Sequence, residues 1–458
     1  MIRKQKWVIF SLFLVLVIIA GVFRFDDFGT MENDPNISAA DVTWMLTATA
    51  LVLFMTPGLS FFYGGMVRTK NVISTMLQSF IAMGVVSIVW VVVGFSLAFG
   101  DSLGPEKAGL IGNPFTYFMF RNVGFATDPK LAPTIPLALF ALFQLKFAII
   151  TPALITGSFA ERVKFSAYLV YMVLFTLFIY APLAHWTWHP NGFLKNLGVL
   201  DFAGGTVVHM SAGFSALAGA IFLGKRKYSK TPYRPANIPF ILLGAGMLWF
   251  GWFGFNAGSS LEASPVAVSA FLNTNMASAT AMLTWVFFDR LQGRKVSAIG
   301  AAVGAVVGLV AITPAAGFVS VGSSLFIGAT AAIVSNIAVH WKDKTSLDDA
   351  LDVFPAHGVG GMVGMLLTAV FARNTGLLYG QTATMIAHLI GLVIVAVFTF
   401  GGSYLLYWVT NKMIPMRVSS HSEAIGLDLS QHDEQYGGLA EEKREIEDFV
   451  EQPLEKSA

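Results

Sequence analysis

The chain carries run after run of residues that a water-soluble fold has no means of covering. Apolar, charge-poor stretches of bilayer-spanning length, about 17–25 residues, lie near 42–67, 74–100, 134–159, 165–187, 203–223, 238–260, 264–288, 297–313, 315–340, 354–372 and 380–410. A further run occupies 7–25. In hydrocarbon the backbone has no water to bond, so such runs must satisfy their own polar groups as helices. The sequence therefore reads as an all-α polytopic membrane protein with eleven core transmembrane helices and an additional N-terminal apolar segment. Composition agrees: 55% of the 458 residues are hydrophobic and 12% charged, where a soluble chain needs about a quarter charged to cover its surface. A break is expected at Thr313-Pro314.

The lipid bilayer is thus the chain's main partner, and a net charge of +2 offers nothing to nucleic acid. The absence of cysteine excludes disulfides, thiolate metal sites and cysteine nucleophiles. Many of the 44 glycines lie inside apolar runs, where they suit close helix packing.

Orientation follows from the basic residues of the short loops. Alternate loops hold Arg68, Lys70, Arg162, Lys164, Lys225, Arg226, Lys227, Lys230, Arg234, Arg290, Arg294, Lys295, Lys342, Lys344, Lys412 and Arg417. The opposite loops hold only Lys107, Arg121, Lys130, Lys195 and Arg373. The first set is expected in the cytoplasm, together with the tail. Three regions result: an N-terminal apolar helix or signal peptide (1–25), a membrane domain (38–415) and a cytoplasmic tail (416–458). Arg3, Lys4 and Lys6 precede Trp7–Val22 as they would in a signal peptide. The length of the run and the lack of an A-x-A cleavage site weigh toward an uncleaved helix. The charged stretch Glu441–Glu445 reads as a solvated tail in preference to a short helix.

Fragments recur between the halves of the chain. Ile150-Thr151-Pro152-Ala153 matches Ile312-Thr313-Pro314-Ala315, and the segment from Pro57 to Gly65 loosely resembles that from Gly251 to Ser259. Asp201 precedes His209 as Asp352 precedes His357. Each pair lies five segments apart, and an odd number of helices per repeat makes the repeats inverted. Such repeats place a transported species at their interface, near mid-membrane.

Ionisable groups deep in apolar segments are costly and mark functional sites. Four stand out: Lys146, Asp201, His209 and His357. A neutral imidazole is cheaper to bury than a fixed charge and passes protons between its two nitrogens. One lone histidine is as readily a packing residue bonded to a carbonyl; two in matching repeat positions favour a pore. Asp201 fits a helix N-cap, a role compatible with stabilising a cation. Phe143 and Phe147, four residues apart, share a helix face. If that face meets Trp188, the rings form a cage for a small cation, and Ser259 offers a hydroxyl oxygen as acceptor.

Five motifs together resemble the ammonium transporter family (Amt/Mep/Rh), specifically its bacterial Amt branch, from about Val42 to Asp428. They are Phe62-Tyr63-Gly64-Gly65, Phe159-Ala160-Glu161-Arg162, the run from Asp201 to His209, the run from Gly251 to Ser259, and Asp352-Val353-Phe354-Pro355-Ala356-His357-Gly358. The resemblance implies a homotrimer with one pore per subunit in the plasma membrane. Its eleven core helices would form two inverted five-helix repeats plus an eleventh on the C-terminal side. It also implies an outer ammonium-recruitment site of Phe143, Phe147, Trp188 and Ser259, held together by Asp201. Phe147 and Phe255 would form a gate, and His209, His357, Trp252 and Thr313 would line the pore, with Phe62 and Tyr63 at the cytoplasmic exit. No cofactor and no enzymatic activity are implied. The tryptophan and serine of the outer site favour the Amt branch over Rh-type members.

Two departures from the family pattern stand out. Lys146 occupies a position where a small or apolar residue is usual; one helical step of about 100° from Phe147 points it toward a neighbouring helix. The tail keeps Glu423 and Gly426-Leu427-Asp428 but reads His432-Asp433-Glu434 where a glycine commonly follows the histidine. A docked tail, open to a PII-type regulatory protein, is the expectation. The mechanism implied is recruitment of ammonium, its deprotonation, and passage of ammonia past the histidines with the proton routed separately. The competing reading is a sensor that binds ammonium and signals; a tail of about forty residues is short for an appended signalling domain.

Overall fold

The computed structural model describes residues 2–22, 34–104, 108–227 and 234–437. Among them the long helices are α1 (Ile2–Val22), α2 (Ala39–Met66), α3 (Thr69–Phe99), α4 (Leu137–Phe159), α5 (165–188), α6 (Gly205–Leu223), α7 (Ile238–Ser260), α8 (Pro265–Leu291), α9 (Ala298–Ile312), α10 (Val321–Lys342), α11 (Phe354–Phe371) and α12 (Ala383–Met413). From α2 onward they correspond to the eleven runs of the sequence. Ten segments are long and apolar enough to span a bilayer, while α9, with 15 residues, is shorter. Its end at Ile312 matches the expected break at Thr313-Pro314, but turns follow, and α10 begins only at Val321. Lys107, Lys230 and the charged stretch Glu441–Glu445 lie outside the described residues.

Side chains just ahead of the helices fix where several begin. Ser38, Asn237, Ser264, Ser297 and Ser320 each accept a backbone N–H from three residues on, at the starts of α2, α7, α8, α9 and α10. Each such cap satisfies a donor the helix cannot, worth about 1 kcal/mol. Pro265 and Pro239 sit in first turns, where a missing N–H costs nothing.

At the centre stands α4, buried at every residue from Phe143 to Ile155. The outward faces of α2, α7, α8, α10 and α12 carry exposed Phe54, Phe250, Phe287, Phe326 and Val397, the surface expected toward lipid or a neighbouring subunit.

Basic residues gather at one end. There Glu161, 2% exposed, takes Arg68 at 2.7 Å and Arg226 at 2.9 Å, and Arg226 also grips Asp348 at 2.8 Å. Burial alone would raise the Glu161 carboxyl, but Arg226 and Arg68 hold it below its ordinary value. The tail folds against this end. Asp428 accepts the N–H groups of Ser74 at 2.7 Å and Ile73 at 3.0 Å, Gln431 accepts that of Phe165, and Arg417 pairs with Glu423.

Candidate functional site

The loop entering α6 is organised by one carboxylate. Asp201 Oδ1 accepts the N–H groups of Gly204 at 2.7 Å and Gly205 at 2.6 Å; Oδ2 accepts Thr206 N–H at 2.7 Å and its hydroxyl at 2.5 Å. Four donors on one acid serve the helix N-terminus, but Asp201 is not itself the expected N-cap: that position is Gly204, and the carboxylate reaches it from three residues earlier. Gly204 has φ +122°, where an added Cβ would also strike Val208 at 2.8 Å, so glycine is required there. The first turns of α6, Gly205–Met210, are π-helical. Such widened turns are rare and gather at functional sites.

Beside Asp201 opens a cavity of about 320 Å³. Trp188, Phe147, Ser259 and Asp201 line it, which brings four of the five expected recruitment residues together. The Trp188 indole donates to the Asp201 carbonyl at 3.2 Å, so the loop also sets the ring. Ser259 donates its hydroxyl to Phe255 O at 2.8 Å, leaving only acceptor lone pairs for the cavity. Phe143 is the exception. It is fully buried and does not line the cavity; it backs Phe147 edge-on, with ring centroids 4.9 Å apart. Sharing a helix face placed the two rings together, but Phe147 stands between Phe143 and the open space.

Below the cavity the rings continue inward. Phe147 packs on Trp188 at 5.8 Å and on Phe255 at 4.2 Å; Phe255 lies 6.0 Å from His209, and His209 lies 5.4 Å from His357. Trp252 stacks on His209 at 5.3 Å. The two histidine segments approach closely because their backbones cross at glycines: a Cβ on Gly213 would lie 2.2 Å from Gly358 N. The basic end of this line holds Tyr63, whose hydroxyl donates to Leu154 O at 2.9 Å, with Phe62 beside it at 5.9 Å.

Hydrogen bonding orients both imidazoles. The Thr313 hydroxyl donates to Leu309 O at 2.7 Å and accepts from the Trp252 indole at 2.9 Å. Its remaining lone pair faces His209 Nε2 at 3.3 Å, so Nε2 carries the proton and Nδ1 is the acceptor. His357 Nδ1 lies 3.3 Å from that acceptor and donates to it. A single hydrogen-bonded line runs from His357 through His209 to Thr313.

The carboxylate that serves His357 is not the one the repeat pairing suggested. Asp352 is bound to the Lys342 ammonium, whereas Asp349 accepts the N–H of Phe354 at 2.7 Å at the start of the π-helical turns Phe354–Val359. Both acids stand eight residues before their histidine (209 − 201 and 357 − 349). The loop turns at Asp352, with φ +58°, which carries the nearer aspartate away from the helix end. Burial raises both carboxyls, Asp352 to about 6, against the opposing pull of Lys342.

Lys146 is buried and does not line the cavity. Two other lysines line it instead: Lys130 and Lys195, the latter 3.5 Å from Trp188 O. In the sequence both stand only as loop charges. His388, absent from the expected site residues, is a buried imidazole in an apolar helix and carries the same sequence signal as His209.

These features define a polytopic helical membrane protein with an aromatic vestibule above a line of buried rings and histidines. Residues 43–436 match the Ammonium Transporter Family. The ammonium transporter of Aquifex aeolicus is 45% identical over 410 residues, covering 88% of this chain and 94% of that protein. Among solved structures, Candida albicans Mep2 superposes with a TM-score of 0.80 at 34% identity, covering 93% of this chain and 94% of that one. A structure titled Sensor Amt Protein superposes at 0.79 and 32% identity, covering 86% and 98%. The chain belongs to the ammonium transporter family.

Proposed function

We propose that the protein recruits ammonium in the vestibule, that the ion gives up a proton to water at the Phe147–Phe255 constriction, and that ammonia passes His209 and His357 toward the basic end. The observation that carries this is the unbroken line of rings from Trp188 to His357 with no acid among them. A cation is held at the top by the π-faces of Trp188 and Phe147 and by the Ser259 lone pairs. Potassium of the same charge is drawn equally well, so recruitment alone does not discriminate. Ammonium can shed a proton, and the neutral remainder enters an apolar passage far more cheaply than a bare ion. The proton follows separately along the His357–His209–Thr313 line or adjoining water.

The fold consists of two inverted five-helix repeats and an eleventh helix, and three copies assemble in the plasma membrane with the basic end and tail in the cytoplasm. The docked tail suits regulation by a PII-type protein. The likeness to the structure titled Sensor Amt Protein favours a second reading: ammonium binding that signals with little flux. Growth of transporter-deficient cells on low ammonium separates them. Rescue by this chain supports conduction; expression at the membrane without rescue supports sensing.

A further inference from the structure

We infer that His388 is a positioning residue for the vestibule, acting through Leu200 and Asp201. This rests on the vestibule being the recruitment site. His388 is fully buried on α12. Its Nδ1 lies 2.7 Å from Met365 O on α11, and its Nε2 accepts the Leu200 N–H at 2.9 Å. Only one neutral tautomer serves both contacts: the proton sits on Nδ1, and Nε2 is the acceptor.

The consequence lies in what Leu200 adjoins. The next residue is Asp201, whose carboxylate gathers the start of α6 and whose carbonyl holds the Trp188 indole. Leu200 and Asp201 both line the cavity. The imidazole is therefore a strut from α11 and α12 to the loop that sets the ring and the acid of the cation site. Packing alone does not explain it: an apolar residue of similar size would fill the space and leave Leu200 N–H without its acceptor, at real cost in a buried site.

Two substitutions separate the two contacts. Glutamine carries an amide oxygen out to the position of Nε2 and keeps an acceptor for Leu200. Asparagine reaches only the position of Nδ1 and keeps the Met365 contact alone. In full-length protein reconstituted into liposomes, His388→Asn raises the half-saturation concentration for radiolabelled methylammonium about fivefold, with maximal uptake preserved. His388→Gln stays within about twofold of wild type on the same reasoning. Amide hydrogen exchange at Leu200 is slow in wild type and His388→Gln and fast in His388→Asn. Equal half-saturation in the two variants, or fast Leu200 exchange in wild type, overturns the inference. If the asparagine variant does not fold, a several-fold shift in His388→Gln overturns it equally. Ser259→Ala, measured in parallel, isolates the underlying reading: unchanged half-saturation there refutes the vestibule as recruitment site, while Leu200 exchange still reports on the strut.

Discussion

The segments 201–210 and 349–359 follow one plan in opposite surroundings. Each begins with an aspartate eight residues before a histidine, and each enters its helix through π-helical turns. Asp201 spends both oxygens on four donors and opens on a cavity. Asp349 caps Phe354 with one oxygen, while its other oxygen finds no partner among the described residues. It lies beneath Lys342, which donates to its carbonyl at 3.0 Å. The shared plan delivers the histidines, and the surroundings set the two ends apart. One end presents π-faces and acceptors to its cavity; the other is tied by ion pairs to Lys342 and Arg226.

Removing the two acids breaks the comparison most severely. Asp201→Ala frees four donors and loosens Trp188, so uptake of methylammonium falls at least tenfold, roughly the worth of one charged hydrogen bond. Its thermal midpoint in detergent falls as well. Asp349→Ala removes fewer bonds and leaves the vestibule intact; its uptake stays within about threefold of wild type. Equal losses in the two variants would erase the distinction between the limbs.

Ser259→Ala sharpens it. In the proposed role the hydroxyl acts only at the entrance, so half-saturation should rise about fivefold while maximal uptake holds. Concentration-dependent uptake reads both quantities. A smaller effect of opposite sign comes from Lys195→Gln. Taking one positive charge off the vestibule wall lowers half-saturation about twofold at low ionic strength, and added salt abolishes the difference. Salt-independent half-saturation in both proteins would show that Lys195 does not act on the cation.

The basic end responds to acid, with the least effect on transport at neutral pH. Arg226 and Arg162 overcome the burial that would raise Asp348 and hold its carboxyl at about 2, below its ordinary 3.8. Its folded value is depressed, so its stabilising contribution is complete above pH 3.8 and is lost as pH falls through about 2. Asp352 has the opposite sign: raised to about 6, it costs stability as pH climbs from 3.8 to 6. Thermal unfolding should show an acid limb as pH falls below the ordinary carboxylate range, and Asp348→Asn should weaken that limb while Glu161, also held below its ordinary value, retains part of it.

Much of this was legible in the sequence because lipid is an exacting solvent. Eleven runs had to be helices, and a proline after Thr313 had to end one. Gly204-Gly205 after Asp201 signalled a helix start, but the structure sets Gly204 as the cap and gives Asp201, three residues before it, the four donors. Depth and loop path were not legible. Phe143 and Phe147 share a face, but only packing decides which ring meets the cavity. Asp349 and Asp352 are both near His357, and the turn at Asp352 alone decides which one caps the helix. Lys195 read as a loop charge because nothing in its neighbours tells that the short helix Phe193–Leu197 lays it on the vestibule wall. His388 carried the right signal, a buried ionisable group, but without a repeat partner it did not stand out.

Under the proposed mechanism neutral ammonia passes the histidine pair while its proton travels apart. Current recorded from proteoliposomes after an ammonium pulse, with a matched potassium pulse, tests it in wild type, His209→Ala and His357→Ala. Wild type should give an ammonium current and no potassium current, and each variant should lose that current or its exclusion of potassium. Ammonia flux without current in wild type, or unchanged current and selectivity in both variants, would contradict it.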